Sequence, residues 1–324
     1  MLISLVFSFW NEEDVFDELI QRVVSTLHGI DCDYELIFVN DCSTDGSLEI
    51  LKSHAATNPN IKIINMSRRF GRSPCVMAGF RFSKGDIVIY MDADLQDPPE
   101  LIPEMVALYR NGADTVHTVR VERKGESKVK LLVTKIAYRV VNRLSDIQLI
   151  ENAGDFKLMR RRVVDEVIKF GEYQPYTRGL IPWIGFRQET INYVRDARFA
   201  GKTKYSLFRS RSIEGPYTEF IKGFTAFSEI PLYVSLIFGL FTAMASFGYL
   251  IFIVIYKSLG MSIPGWAAIM AVMLLIGGVT LFTNGVMGIY IGRIFNNVKG
   301  RPAYIVDSTL GFDGNETKPI ATPD

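Results

Sequence analysis

The run Tyr90-Met91-Asp92-Ala93-Asp94-Leu95-Gln96-Asp97-Pro98-Pro99 sets two carboxylates one residue apart, directly after an apolar stretch, Ile87 to Met91, that reads as a buried strand. A strand ending in Asp-x-Asp delivers both side chains to the rim of a sheet, where one can hold a divalent cation and the other a hydroxyl. Mg²⁺ or Mn²⁺ held by one or two carboxylates commonly completes its shell with phosphate oxygens and water. Asp94, at the outer position, is therefore the expected metal ligand. Alone the pattern is weak, because acidic pairs also end strands and cap helices.

Two more segments repeat the arrangement. The strand-like Glu35 to Val39 runs into Asn40-Asp41-Cys42-Ser43-Thr44-Asp45-Gly46-Ser47, and Ser4 to Phe9 runs into Trp10-Asn11-Glu12-Glu13. Three strand ends thus bring acids to one edge, as expected of an open parallel sheet that binds its ligand outside the strand carboxyl ends.

These residues carry a family resemblance. The set resembles a family 2 (GT-A fold) glycosyltransferase, and the stretch Asp92 to Glu100 is similar to the polyprenyl-phosphate glycosyltransferases. The similarity continues through Gly154-Asp155-Phe156, Ala200-Gly201-Lys202-Thr203-Lys204-Tyr205 and Gly288-Ile289-Tyr290-Ile291-Gly292-Arg293, and is greatest toward the bactoprenol glucosyltransferases of O-antigen modification. It implies an α/β GT-A (Rossmann-like) fold, a mostly parallel sheet with flanking helices, followed by amphipathic interface helices and a two-helix transmembrane hairpin. The implied reaction is inverting transfer of a sugar, glucose from UDP being expected, to undecaprenyl or another polyprenyl phosphate.

The resemblance also distributes roles. Asp92 is expected to contact the ribose or sugar, and Gln96 to orient the diphosphate or a metal-bound water. Asp41, with Asn11 and Glu12, falls in the nucleotide pocket. Asp155 matches the position of a catalytic base or an acceptor-positioning carboxylate; a helix cap is its structural alternative. Arg120, Arg123, Lys135, Arg198, Lys202 and Lys204 match the region that handles the acceptor phosphate. The chain departs from the family at Asn40, where an Asp is usual, and at Ser8-Phe9-Trp10, where Pro, an apolar residue and Tyr are common.

The elements that must position these groups follow from periodicity. Strands are expected near 2–8, 34–40, 61–66, 86–91 and 114–119, with helices near 12–28, 46–57, 72–83 and 99–111, an alternation that reads as βαβ units. Residues 127–145 read as a basic amphipathic helix. In 206–227, Pro216 interrupts a continuous helix. The apolar start, cut short by Glu12, Glu13 and Asp14, reads as a first strand and not as a signal peptide.

Charge is zoned although the whole chain carries only +1. Residues 1–115 hold nine basic against 18 acidic groups, residues 116–223 hold 22 against 12, and the rest is balanced. A basic belt beside apolar spans suits anionic head groups or a phosphorylated lipid. Leu232 to Tyr256 and Trp266 to Ile291 contain no charged residue, and each exceeds the ~20 residues that cross a bilayer core. Basic flanks, Arg209, Arg211 and Lys222 before and Arg293, Lys299 and Arg301 after, place both outer ends in the cytoplasm. The expected organisation is a catalytic domain over 1–200, an interface segment over 201–230, two spans over 231–292 and a cytoplasmic C-terminal tail over 293–324, mobile after Asp307, in the cytoplasmic membrane.

Other readings are narrower. Three cysteines at unrelated spacing give no disulfide framework or zinc site. Gly201-Lys202-Thr203 is not a P-loop, since Asp196 stands where that motif needs Gly. A processive synthase lacks support because Gln174 to Gly179 does not supply Gln-x-x-Arg-Trp. A dolichyl- or polyprenyl-phosphate mannose synthase using GDP-mannose stays open, as does a non-catalytic anchor or flippase subunit, against which the intact acids argue. Nothing points to nucleic acid, and a homo-oligomer is left open.

Overall fold

The apolar run Leu2–Phe9 forms β1, the middle of the sheet, because alternate residues are apolar on both sides and can be covered from each face. The structure, a computed structural model, describes residues 1–122, 150, 152–173, 175–194, 223, 225–260 and 265–312. Arg123, Lys135, Arg198, Lys202 and Lys204, the segment 127–145 and most of 206–227 lie outside the described residues.

The strands are β1, β2 (Asp33–Asn40), β3 (Ile61–Met66), β4 (Ile87–Asp92), β5 (Thr115–Glu122), β6 (Ala153–Arg160), β7 (Gln188–Val194) and β8 (Val306–Leu310). They form one eight-stranded sheet in the order β7-β5-β6-β4-β1-β2-β3-β8. Strands β4, β1, β2 and β3 run parallel, whereas β6 is antiparallel to both β4 and β5, β7 is parallel to β5, and β8 is antiparallel to β3. Helices α1 (Phe16–His28), α2 (Ser47–Thr57) and α4 (Ile102–Arg110) pack their apolar residues with Ile3, Leu5, Phe7 and Phe38 on one face. Helices α3 (Arg72–Phe82), α5 (Arg161–Lys169) and α6 (Thr177–Trp183) cover Val6, Val39, Tyr90 and Met159 on the other. The expected α/β sandwich of a mostly parallel sheet between helical layers is the observed one.

Close packing sets α3. A Cβ on Gly79 would come within 2.2 Å of Val6 Cγ1, so the missing side chain lets the helix backbone lie directly on β1. This contact aims the first residue of α3, Arg72, at the carboxyl edge of the sheet.

The sequence reading missed three strands. Strand β6 carries Asp155 and Lys157 among its buried positions, which hides its apolar pattern. Strand β7 is short and half-polar. The tail beyond Asp307, expected to be mobile, begins instead as β8, with Asn65 Nδ2 donating to Ser308 Oγ at 3.0 Å and the Phe312 ring 5.3 Å from that of Phe82.

A second unit comprises Phe224–Gly300 with its two long helices, α7 (Ile230–Ser258) and α8 (Trp266–Val298). Within them Ile230–Tyr256 and Ile269–Val298, 27 and 30 residues, are long and apolar enough to cross a membrane by length and composition. Large apolar side chains such as Leu236, Phe241, Leu274 and Leu281 are exposed along them. Inside this unit Tyr290 Oη donates to the Ser228 carbonyl at 2.6 Å, and Arg293 Nη1 donates to Thr225 Oγ1 at 3.3 Å. The late Gly-Ile-Tyr-Ile-Gly-Arg run therefore ties the end of α8 to the approach of α7.

Candidate active site at the carboxyl edge of the sheet

Because β1, β2 and β4 are parallel, their carboxyl ends meet at one edge, with Ser8 opposite Asp92 and Phe9 opposite Asn40. Each chain exit contains a residue in the left-handed region: Asn11 at φ 55°, Cys42 at φ 58° and Leu95 at φ 54°. Asn tolerates that conformation, but for Cys and Leu it stores about 1–3 kcal/mol each, an outlier pattern associated with functional edges.

The first two exits are stitched together. Thr44 N donates to Asn11 Oδ1 at 2.8 Å, Asn11 N to Ser43 Oγ at 3.0 Å, and Glu12 N to Ser47 Oγ at 2.9 Å. Asn40 uses both ends of its amide, accepting from Ser43 N at 2.9 Å and donating to Asn65 Oδ1 at 3.2 Å. An ionised Asp could not make the second bond, which gives the departure from the family pattern a structural reason. Asp41 is buried and accepts from Phe70 N at 2.7 Å and Gly71 N at 3.0 Å, Gly71 having the positive φ of 95° that the turn into α3 requires. Arg69, 3.8 Å from Asp41, lies 3.7 Å from the Trp10 ring centroid. Asn11, Glu12 and Asp41 thus come together as a frame that also includes Trp10 and Arg69.

At the end of β4, Asp92 accepts from Tyr90 Oη at 2.8 Å and lies 3.5 Å from Arg72 Nη1. Burial, then the nearby Asp92 charge, pushes the Tyr90 phenol well above its ordinary range, so it stays a donor. Asp94 Oδ1 accepts from Gln96 N at 3.2 Å in a tight turn. Among the described residues no three potential ligands cluster, so Asp92 and Asp94 offer carboxylate oxygens but no complete cage. That donor set fits Mg²⁺ or Mn²⁺ completed by diphosphate oxygens and water.

Asp155 lies inside β6, with the next helix starting only at Arg161, so it is no helix cap. Its carboxylate is 2 % exposed. Arg178 Nε donates to Oδ1 at 2.8 Å, Arg178 Nη2 donates to Oδ2, and Arg72 Nη1 donates to Oδ2 at 2.5 Å. Burial alone would raise its pKa, but the guanidinium groups of Arg178 and Arg72 hold it well below the usual carboxylate range. Arg72 therefore links the first Asp of the Asp-x-Asp pair to Asp155, across 83 residues of sequence. Neither Arg72 nor Arg178 was singled out from the sequence as a site residue. Arg178 sits in the stretch noted only for lacking a synthase motif, and nothing local marks Arg72.

Arg120 is engaged elsewhere. Its Nε donates to Tyr193 Oη at 2.9 Å and its Nη2 lies 3.6 Å from Asp97, which also accepts from Tyr193 Oη. This buried network ties the turn after β4 to β5 and β7. Arg120 is thus placed one strand away from Asp155, while the other five proposed acceptor cations fall outside the described residues.

The clamp generates a stability test. Removing one partner of a buried ion pair costs ~3–5 kcal/mol, and with Arg72 still in place Arg178→Met should cost about 3 kcal/mol in denaturant unfolding of the sheet unit. A depressed carboxylate pKa contributes stability that is present above the unfolded value and lost as pH falls through the folded one. In Arg178→Met, where only Arg72 still opposes burial, the Asp155 pKa is less depressed, so this acid-dependent contribution should shrink and stability should fall less steeply with decreasing pH. An unchanged midpoint and acid profile would contradict the clamp.

Comparison with known proteins gives a consistent picture. The description Glycosyl transferase family 2 matches residues 4–168. The chain is 40 % identical to the uncharacterized glycosyltransferase YkcC of Bacillus subtilis over 96 % of its own length and 94 % of that protein's. It is 34 % identical to a prophage-derived bactoprenol glucosyl transferase of Shigella flexneri, over 94 % of this chain and 97 % of that one. Among solved structures it is similar to the mannosyltransferase PcManGT from Pyrobaculum calidifontis in complex with GDP-Man and Mn²⁺, at 16 % identity and a TM-score of 0.43, over 91 % of this chain and 86 % of that one. The matched residues span β1 to α5, which carry the Asp-x-Asp pair and Asp155, and the chain belongs to glycosyl transferase family 2.

Proposed function

We propose that the chain is an inverting glucosyltransferase that moves glucose from UDP-glucose to undecaprenyl or another polyprenyl phosphate. The observation that carries this reading is the meeting of the strand-end acids with cations: Arg72 touches Asp92 on one side and Asp155 on the other, so an acidic donor edge adjoins a phosphate-receptive cluster. The bactoprenol glucosyl transferases, similar over nearly the whole chain, support the sugar and the lipid.

In the proposed reaction a phosphate oxygen of the acceptor attacks the anomeric carbon while the bond from that carbon to the diphosphate oxygen breaks. The electron pair leaves with UDP. Single displacement inverts configuration, giving a β-linked lipid phosphate sugar from an α-linked donor. A phosphate monoester has a second pKa near ~6 and is already a dianionic nucleophile at neutral pH. No proton need be removed, and a carboxylate locked between two guanidinium groups is a poor base. Asp155 is therefore a positioning residue that holds Arg72 and Arg178 in place. Asp94 is the metal ligand, Asp92 faces the sugar or ribose, and Gln96 orients the diphosphate. A divalent ion, when bound, neutralises the charge that grows on the leaving diphosphate. Asn11, Glu12 and Asp41 frame the nucleotide, and the acceptor phosphate is met by the basic set of Arg120, Arg123, Lys135, Arg198, Lys202 and Lys204.

The chain leaves the sheet unit at Gly223 and re-enters it at Arg301, where β8 pairs with β3. If α7 and α8 both span, their outer ends share one side of the membrane. The basic flanks Arg293, Lys299 and Arg301 put that side in the cytoplasm. In a variant lacking Cys32, Cys42 and Cys75, a Met261→Cys thiol should be labelled by impermeant reagent only from the outer face; labelling only from the cytoplasmic face would contradict this topology.

The reaction is tested by offering radiolabelled UDP-glucose, UDP-galactose and GDP-mannose to membranes containing undecaprenyl phosphate. Glucose should enter the lipid, and chelation should abolish transfer. Loss of the metal ligand should cost several kcal/mol of transition-state stabilisation, so Asp94→Asn should lower turnover at least about hundredfold while leaving membrane insertion intact. Near wild-type turnover in that variant would remove Asp94 from the metal site, and label from GDP-mannose alone would overturn the glucose reading.

A further inference from the structure

Behind Asp155 lies a third cation that the reaction so far leaves without a task. Lys157 follows Asp155 by two residues on β6 and so shares its face of the sheet. The strand register puts it opposite Tyr90 of β4 and His117 of β5, inward from Asp92. It is 2 % exposed, yet no described residue accepts a hydrogen bond from its Nζ. Burial, opposed by the Asp155 charge and reinforced by Arg178 and Arg72, lowers its pKa from 10.5 to about 8. His117 beside it is neutral, its pKa lowered to about 3 by burial and by Lys157. Asp92 and Asp155 are thus outnumbered by three cations, Arg72, Arg178 and Lys157, of which Lys157 is the buried one, and a buried charge is costly unless it is paired.

His117, Gly154, Lys157, Tyr176 and Arg178 line a narrow crevice at this point. Topology indicates which anion it receives. The loops that frame the donor leave β1, β2 and β4. The segments 123–149 and 195–222, which hold most of the basic belt, attach at the end of β5, the start of β6 and the end of β7. Because β5 and β7 are antiparallel to β6, all three attachment points fall at the same edge as Asp155, on the crevice half of the sheet.

We propose that Lys157, with Arg178, seats the phosphate group of the acceptor lipid in this crevice, a subsite distinct from the metal-bound diphosphate of the donor. The inference rests on the polyprenyl-phosphate reading above and assigns that phosphate its innermost contact. A lysine serves as a point charge that can follow the phosphate as its oxygen moves toward the sugar, whereas Arg178 is fixed by its forked bond to Asp155.

The test compares wild-type, Lys157→Met, Lys157→Gln and Lys157→Arg proteins, full length in lipid nanodiscs, by calorimetric titration. Geranyl phosphate is the acceptor probe, geraniol its uncharged control, and UDP with Mn²⁺ the donor probe. Loss of one charged hydrogen bond to the phosphate should weaken geranyl phosphate at least about tenfold in the Met and Gln variants. Geraniol and UDP should bind as in wild type, and Lys157→Arg should keep most of the affinity. Two neutral substitutions are included so that a folding defect in one leaves the comparison intact. Unchanged geranyl phosphate affinity overturns the proposal, as does an equal loss of UDP affinity, which would give Lys157 to the donor. The wider reading fails on a separate result, namely wild-type protein that transfers no sugar to undecaprenyl phosphate.

Discussion

The Arg72–Asp155–Arg178 clamp is the interaction on which the site depends. It joins four elements with no other shared purpose: the first turn of α3, the end of β4, the middle of β6 and the first turn of α6. A carboxylate as deeply buried as Asp155 would normally give up its charge, because desolvation outweighs any single weak partner. Two guanidinium groups reverse that balance, and they also fix each other at a spacing set by one carboxylate. The clamp thus sets one forked donor, Arg178, and one single donor, Arg72, on the same carboxylate at the floor of the site. Its stability depends on the Gly79 contact that lays α3 on β1 and on the turn at Gly71 that Asp41 fastens.

The sheet divides the chemistry between its halves. The parallel strands β4, β1 and β2 end in acids and strained turns, which suit a cation and a diphosphate but would repel a free phosphate. The β6–β5–β7 half, in which β6 runs antiparallel to both its neighbours, brings Arg178 and Lys157 toward the same edge with opposite charge. In the proposed reaction, neighbouring regions of opposite potential would let two anionic substrates approach without sharing one set of cations. The metal that accompanies the donor in that proposed reaction would be held on the acidic side by carboxylates such as Asp94.

Much of this was legible in the sequence. The first four strands were read correctly because most of their buried positions are apolar on both faces, β5 because it continues the strand–helix alternation, and the two long helices because charge is absent over whole membrane-length runs. Asp92, Asp94 and Asp155 were singled out and now lie at one edge, with Asp155 and Asp92 sharing Arg72. The clamp was not legible, since Arg72 and Arg178 are 83 and 23 residues from Asp155 and single arginines are ordinary on a surface. Strand β6 was hidden for the same reason, as Asp155 and Lys157 look solvated until their partners are known. Asp41 carried a different ambiguity: its residue type suits a ribose contact, while its hydrogen bonds fasten the turn into α3.

The most direct measurement of the whole account is the release of nucleoside diphosphate by purified full-length protein supplied with UDP-glucose and Mn²⁺, with undecaprenyl phosphate either present or withheld. The account predicts release only when lipid phosphate and metal are both present, with one glucosyl lipid formed for each UDP. Release that proceeds equally without the lipid, or that survives removal of the metal, would contradict it.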